Sequence, residues 1–177
     1  SVSRGPRTDA PRLSRARRAA GAVLLVGILA LAYGYALRLP LFLDDMVHFR
    51  WLEGQSLADV WRSASGIGYY RPLTFTLWKA LRLLQGWYRP STLHAVNVLL
   101  HGANALLLAA LIARHGPGRR ATAWAAGVLF TLFPFSYQAV PWVGALSHIL
   151  VTTLTLGALL AERSGRRAVG LALAALA

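Results

Sequence analysis

The stretch Leu93–Ala113, LHAVNVLLHGANALLLAALIA, decides the fold because it is apolar enough and long enough to cross a hydrocarbon core of about 30 Å as an α-helix. Four polar residues interrupt it at intervals of three, four and three residues: His94, Asn97, His101 and Asn104. These intervals put the four side chains on one face of the helix. Polar groups are costly in lipid, so this polar stripe is predicted to face other helices or a cavity and to form interhelical hydrogen bonds.

The composition of the whole chain agrees with a protein embedded in membrane lipids. Of its 177 residues 56% are hydrophobic and only 14% are charged, whereas about 25% is usual for a soluble domain. The net charge of +13 comes from basic residues at the ends of apolar segments, not from a basic stripe interleaved with aromatics, which excludes nucleic acid as a partner. The absence of cysteine excludes disulfides and thiolate metal sites.

Further apolar runs predict an all-α, polytopic transmembrane helix bundle. The spans are predicted at 19–37, 93–113, 121–135 and 143–161, and 168–177 is about half a span, so the chain is expected to stop inside a fifth helix. The first run could instead be a signal peptide, because basic residues precede it. Its apolar part exceeds the usual length of about 7–15 residues and no A-x-A cleavage site follows, which favours a membrane anchor.

Arginine distribution predicts the orientation of these spans. Arginines cluster in the segments 1–18, 114–120 and 162–167, which alternate consistently as cytoplasmic segments. The long segment 38–92 and the short segment 136–142 then lie outside. Arginine and alanine are abundant and Lys79 is the only lysine, which is typical of a GC-rich bacterial gene. The predicted location is therefore the bacterial cytoplasmic membrane, with multiple spans and the N-terminus in the cytoplasm.

The outer segment 38–92 is predicted to contain amphipathic helices that lie at the membrane interface. Ser56 and Asp59 have the spacing of a capping box, and Pro72–Gln85 begins with proline and is followed by Gly86, a typical C-terminal residue. Tryptophan and tyrosine, which prefer the interface, are frequent in the same segment. The apolar face of the second helix is predicted to consist of Leu73, Leu77, Leu81 and Leu84.

Two of the six acidic residues, Asp44 and Asp45, stand side by side after the first span. One of them could cap a helix that begins at Met46, and Asp45 is the better placed for this. Adjacent carboxylates that are partly buried at an interface also suit an acid/base pair or a divalent-cation site. Both interpretations stay open on spacing alone. A zinc site is not expected, because the outer region offers only His48, in the segment 38–92, and His94, at the start of the second span, as imidazoles.

Two polar side chains near the outer face are candidates for ligand binding. Arg71 precedes the helix Pro72–Gln85, and its guanidinium is suited to bidentate capture of a phosphate. A lipid phosphate or an aspartate of its own loop is an equally good partner. On the second span, His94 is nearest to the outer face and is the member of the polar stripe expected to contact a polar ligand.

Four blocks in order resemble the N-terminal part of GT-C-type membrane glycosyltransferases, most closely the branch of protein O-mannosyltransferases and TMTC-like proteins. In that branch similar blocks read D-D, Y-R-P-L, H-x-x-N-x-L-L-H-x-x-N-A and H-P-x-H-x-E-A-V-x-W. The similarity spans Leu41 to Leu150. The blocks here are LFLDD (41–45), YYRPL (69–73), HAVNVLLHGANALLL (94–108) and FPFSYQAVPWVGALSHIL (133–150).

The resemblance implies transfer of a sugar from a polyprenyl-phosphate carrier to an acceptor hydroxyl on a protein or glycan, at the outer face. It implies that Asp44 and Asp45 are catalytic, one of them as general base, and Asp44 is favoured because Asp45 suits a cap. Arg71 would hold the leaving phosphate, with Tyr70 and His94 as further substrate-binding residues. No cofactor is assigned, and a divalent cation stays open.

The chain departs from the family pattern in its last block. Phe133 and Ser136 stand where the family has histidines, and Gln138 replaces the glutamate, although its amide can still hydrogen-bond a sugar. Such enzymes also have more spans, so this chain is expected to be an N-terminal part that is inactive alone. The alternative is a non-catalytic membrane protein, such as a transporter fragment or scaffold. Transporters often show charged midplane residues and repeated halves, neither of which is visible here.

Overall fold

The computed structural model describes the backbone of residues 10–62, 68–116 and 119–177, and the side chains of these residues except 10–18 and Leu43. Much of the predicted basic segment 1–18 thus lies outside the described residues. Within the described ranges every regular element is helical, as predicted. Short 3-10 turns occupy Gly34–Arg38 and Val143–Ala145. The α-helices are α1 (Ala10–Tyr33), α2 (Leu43–Glu53), α3 (Leu57–Arg62), α4 (Pro72–Gln85), α5 (Pro90–Ala113), α6 (Arg120–Thr131), α7 (Ser136–Ala139), α8 (Leu146–Arg163) and α9 (Arg167–Leu176).

Three segments among the described residues are long and apolar enough to cross a membrane: Ala19–Arg38, Pro90–Ala113 and Val143–Arg163. They coincide with three of the four predicted spans. The remaining predicted span, 121–135, differs, because α6 has 12 residues and rises only about 18 Å. The helix stops at Thr131 because Pro134 follows closely, and a proline has no N–H with which to extend the hydrogen-bond ladder.

Contacts between the helices define their directions. Leu29 of α1 lies so close to Gly102 of α5 that a side chain there would overlap it. Both α1 and α6 run antiparallel to α5, whereas α8 runs parallel to it. At the far end of α5 and α8, Arg114 Nη1 donates to Ser164 Oγ at 2.6 Å. The connection after α5 and the connection after α8, both rich in arginine, therefore lie at one end of the bundle.

The polar stripe of α5 is buried and, as predicted, hydrogen-bonds its neighbours. Asn97, His101 and Asn104 each pair with main-chain carbonyl groups rather than with side chains. Two of the four carbonyls, those of Val140 and Trp142, belong to the interrupted segment between α6 and α8, and Thr131 is the last residue of α6. The pairs are Asn97 Nδ2 with Val140 O (3.2 Å) and Trp142 O (2.8 Å), His101 Nε2 with Thr131 O (3.3 Å), and Asn104 Nδ2 with Ile149 O (3.1 Å).

The local helix signals of the outer segment are confirmed. The Asp59 N–H donates to Ser56 Oγ and the Ser56 N–H donates to Asp59 Oδ2, both at 3.1 Å, which is the predicted capping box. Helix α4 has the predicted bounds and ends at Gly86, whose φ of +80° favours glycine. In contrast, α2 begins at Leu43 and not at Met46, so the aspartate pair lies inside its first turn.

The four leucines predicted to share the apolar face of α4 are not its fully buried residues, although Leu77 and Leu81 are partly buried and pack against the apolar core. Leu84 is 83% exposed, whereas Phe75 and Trp78 are 2% and 1% exposed. Phe75 and Trp78 join Phe49 of α2 and Leu93 of α5 in one apolar core, with the Phe49 and Trp78 rings 4.9 Å apart. Trp78 is therefore a core residue, not an interfacial one. The position of α2, α3 and α4 at the membrane interface stays a prediction.

We expect Asn97→Leu to lower the free energy of unfolding in detergent by about 1–2 kcal/mol, because it removes the Asn97 donor from the buried Val140 carbonyl and one of the two hydrogen bonds that Trp142 O accepts. The measurement is reversible unfolding in mixed micelles. The control is Leu99→Ile on the exposed side of α5, which should change stability little. Equal stability of the Asn97 variant and the parent would contradict a role of the stripe in holding the interrupted segment.

The arginine-rich connections lie at one end of the bundle, and this predicts the orientation of the helices across the membrane. In this cysteine-free chain, Ser91→Cys should react with an impermeant maleimide applied to intact bacteria, whereas His115→Cys should react only after lysis. Ser91 is at the start of α5 and exposed, and His115 follows its end and is also exposed. Labelling of the His115 variant in intact cells would reverse the assignment.

Candidate functional site

The two aspartates of α2 point in different directions. Consecutive helical residues are turned by about 100°, so two adjacent side chains do not face the same surroundings. Asp45 is 0% exposed, and its Oδ2 accepts the N–H of Phe42 at 3.0 Å, which closes the first turn of the helix. Asp44 is exposed. The prediction that Asp45 N-caps a helix beginning at Met46 is wrong, because α2 begins at Leu43 and Asp45 is its third residue. Its carboxylate still serves the helix start, since it accepts the N–H of Phe42, the residue that precedes the helix.

Asp45 faces two buried imidazoles. His48 lies one turn further along α2, and His94 projects from the first turn of α5 and is 0% exposed. Neither ring nitrogen of His94, nor Nδ1 of His48, nor Oδ1 of Asp45 has a hydrogen bond of normal geometry within the described residues. Burial raises the pKa of Asp45 above its ordinary value of 3.8, while the N–H groups of Phe42 and Gly144 and the nearby histidines oppose this rise.

Arg71 completes this group of polar side chains. Its Nη1 donates to Gly144 O at 3.1 Å, and its guanidinium carbon lies 4.5 Å from the centre of the Tyr69 ring. Burial, followed by the charge of Arg71, lowers the pKa of His48, and Asp45 acts in the opposite direction. We refer to Asp45, His48, Arg71 and His94 as the buried cluster.

Gly144 connects the buried cluster to the turn Val143–Ala145 that precedes α8. Its carbonyl accepts from Arg71, and its N–H lies close to Asp45. A Cβ atom at this position would be 2.9 Å from the Trp142 indole and 3.1 Å from Asp45 Oδ1. The absence of a side chain is therefore what allows this main chain to approach the carboxylate so closely.

Asp44 borders an open cavity of about 770 Å³, here called the outer cavity. Gln138, which precedes the turn, and His148 of α8 line it together with Asp44. The remaining wall is mostly apolar and includes Phe42, Phe135, Tyr137 and Trp142. Cavities of this size with a few polar groups on apolar walls are typical of small-molecule sites. The outer cavity thus offers a carboxylate, an amide and an imidazole to one ligand.

The predicted site residues fall into three places. Asp44 and Gln138 share the outer cavity, whereas Asp45, Arg71 and His94 belong to the buried cluster. Tyr70 is separate, because its exposed hydroxyl donates to Trp61 O at 2.9 Å. Arg71 and Tyr70 also border a smaller cavity of about 340 Å³.

Three residues of the site were not among the predicted ones: His48, Gly144 and His148. The signal for His48 was present in the sequence, because it follows Asp45 by three residues and so shares its helix face. Gly144 and His148 lie far along the chain from Asp44 and Asp45, and no local pattern connects them. Both fall within the last block that resembles the glycosyltransferases.

The described part of the chain contains no set of side chains arranged to bind a divalent cation. Three or more carboxylate or imidazole side chains do not converge there in an arrangement that could hold a metal ion. In the buried cluster the positive Arg71 side chain is also close to His48, and a neighbouring cation disfavours binding of another one.

The raised pKa of Asp45 predicts the direction of a pH effect. Folding favours its protonated form, so its contribution to stability is present at low pH and is lost as the pH rises through the folded-state pKa. Asp45→Asn keeps an oxygen for the Phe42 N–H and removes the titration. The melting temperature of this variant relative to the parent should therefore increase between about pH 4 and about pH 8.

Asp59 provides a control of opposite sign. Hydrogen bonds from Ser56 lower its pKa, so its contribution is present at neutral pH and is lost on acidification through the folded-state pKa. Asp59→Asn should lower the melting temperature slightly at neutral pH and not at low pH. A difference between the Asp45 variant and the parent that does not change with pH would contradict burial of an ionisable Asp45.

No family model, no characterised protein and no solved structure matches this chain. The four motif blocks thus remain a resemblance of short patterns and do not assign the chain to a family. The described residues form a helical protein with three apolar helices long enough to span a membrane. They also form a buried polar cluster and, next to it, a cavity large enough for a small-molecule ligand. An interpretation of its function has to be built from that chemistry.

Proposed function

We propose that this chain is the N-terminal part of a GT-C-type membrane glycosyltransferase, which transfers a sugar from a polyprenyl-phosphate carrier to a hydroxyl group of a protein or glycan. The proposal sets the reaction at the outer face of the bacterial cytoplasmic membrane. The observation that carries it is the division between the two aspartates. Asp45 is buried as a helix cap, which leaves Asp44 exposed in a cavity of ligand size.

In the proposed reaction Asp44 is the general base. Its carboxylate accepts the proton of the acceptor hydroxyl as the oxygen forms a bond to the anomeric carbon of the sugar. The bond between that carbon and the phosphate oxygen breaks, and the electron pair leaves with the polyprenyl phosphate. Gln138 borders the same cavity, and its amide can hydrogen-bond sugar hydroxyls.

The leaving phosphate needs a hydrogen-bond donor in the cavity. His148 lines the outer cavity and is proposed for this task. Arg71, to which the resemblance gives this role, donates to Gly144 and borders the smaller cavity instead. In the proposal Arg71 acts as a positioning residue, because it holds the turn next to Trp142, one wall of the outer cavity.

The walls of the outer cavity support a lipid-linked donor. Phe42 and Phe135 line it and keep much of their surface exposed, so an apolar chain could run from the cavity along them. The site also lies at the opposite end of the bundle from the arginine-rich connections, as a site at the outer headgroup level requires. A polyprenyl phosphate meets both requirements, because its phosphate lies at the level of the headgroups and its apolar chain lies in the lipid.

The test uses the complete gene product in proteoliposomes. Radiolabelled polyprenyl-phosphate mannose and polyprenyl-phosphate glucose are the donors, a membrane-protein fraction of the host is the acceptor, and label in protein is measured. Asp44→Asn preserves shape and removes the base, so transfer should fall by about 10²- to 10⁴-fold. Asp59→Asn is the matched control, since the amide oxygen can still accept the Ser56 N–H and the residue lies outside the outer cavity, and it should transfer sugar at the parent rate.

Two results would contradict the proposal. Transfer by Asp44→Asn at the parent rate would show that Asp44 is not the base. Absence of transfer by the parent from both donors would favour the alternative, a non-catalytic polytopic membrane protein such as a transporter part or scaffold.

A further inference from the structure

A second large cavity lies at the other end of the bundle, where α5 ends and α6 begins. It has a volume of about 790 Å³ and opens between α1, α5 and α6. Its wall combines alanine side chains with Trp124 and the two guanidinium groups of Arg114 and Arg120. We call it the arginine cavity. Nothing in the proposed glycosyl transfer uses it, because the outer cavity is at the opposite end of α5.

The part of the arginine cavity that runs along α5, here called the alanine trough, is lined by apolar side chains. Ala109, Ala110 and Ala113 of α5 leave room where larger side chains would fill the space between the helices. The opposite wall is Trp124, whose indole packs so closely on Gly21 of α1 that any side chain at Gly21 would overlap it. Between residues 106 and 113 the trough runs for about 10 Å along α5.

The two arginines at its mouth are available to an anion. Both are exposed, and neither forms an ion pair with a carboxylate in the described part of the chain. Arg114 donates one hydrogen bond, to Ser164 Oγ, and keeps further N–H donors. Arg120 is the first residue of α6, where the unpaired N–H groups and the helix dipole also favour negative charge.

We propose that the arginine cavity binds an anionic phospholipid. Arg114 and Arg120 hold the headgroup phosphate, and one acyl chain lies in the alanine trough. The charge at the mouth explains the preference for an anionic headgroup, since each basic residue near an anionic lipid adds about fivefold to affinity. The apolar trough explains why the ligand is a lipid and not a free phosphate. Both features coincide at the end of the spans, where phospholipid headgroups lie.

The test is a lipid titration of the purified full chain in neutral detergent micelles, with bound lipid counted by native mass spectrometry. Phosphatidylglycerol should bind more tightly than phosphatidylcholine of the same acyl chains. The double variant Arg114→Gln/Arg120→Gln should lose about 30-fold in affinity for phosphatidylglycerol. Ala110→Trp, an exposed position that fills the trough and leaves both charges, should also weaken binding strongly.

Two controls separate the cavity from general effects. Arg119→Gln/Arg166→Gln removes the same charge from exposed arginines that do not line the cavity and should bind like the parent. Ser164→Ala removes the hydrogen bond of Arg114 without its charge and should also bind like the parent. Circular dichroism of each variant confirms that the helices are intact.

The proposal fails if the control pair Arg119→Gln/Arg166→Gln weakens binding as much as the cavity pair, because the attraction would then be diffuse. It fails equally if Ala110→Trp binds phosphatidylglycerol like the parent, because no chain would then occupy the trough. Competition by inorganic phosphate or glycerol 3-phosphate at concentrations similar to that of the lipid would also overturn it, in favour of a simple anion site.

Discussion

Backbone carbonyl groups between α6 and α8 need hydrogen-bond donors that water cannot supply inside a bundle of apolar helices, and α5 supplies them. Asn97 satisfies two carbonyls at once, and His101 and Asn104 satisfy one each. The carbonyls of Trp142, Thr131 and Ile149 also accept from the Ala145 N–H, the Tyr33 hydroxyl and the Thr153 hydroxyl, respectively. The Val140 carbonyl therefore depends most on α5, and an unpaired polar group in hydrocarbon costs several kcal/mol. The same stripe thus contacts the end of α6, the interrupted segment and the first turn of α8.

The candidate site depends on this arrangement. Asn97 Nδ2 donates to Trp142 O, and the turn that follows places Gly144 next to Asp45. Arg71 Nη1 donates to the carbonyl group of the same glycine. Segments that are distant in sequence thus meet at one glycine. The first turn of α2 is fixed by Asp45, and its neighbour Asp44 is left facing the outer cavity. The two neighbouring carboxylates therefore stand in two different environments, one buried and one exposed.

Signals that act over a few residues could be read from the sequence. The capping box of Ser56 and Asp59, the bounds Pro72–Gln85 and the buried stripe of α5 all follow from spacing, and all were predicted. The length of α6 was not predicted, because the apolar sequence continues beyond Thr131 although the helix ends there.

Long-range contacts could not be read in this way. The burial of Trp78 depends on α2 and α5 packing over α4, and composition alone favoured an interfacial position for this residue. The shared cavity of Asp44 and His148 depends on how α8 is docked, and so does the approach of Gly144 to Asp45. Neither has a signature in the neighbouring residues. The site could thus be predicted as a set of residue types but not as a division into a buried cluster and an open cavity.

The shortness of α6 has a consequence for how this protein is made. A helix of twelve residues does not partition into lipid by itself, since its length falls well below a bilayer core of about 30 Å. Ribosomes synthesise α5 first, so its stripe of donors is already in place when α6 emerges. For a chain inserted into a membrane this arrangement predicts cooperative insertion, in which α6 is retained as a partner of α5 by side chains of another helix.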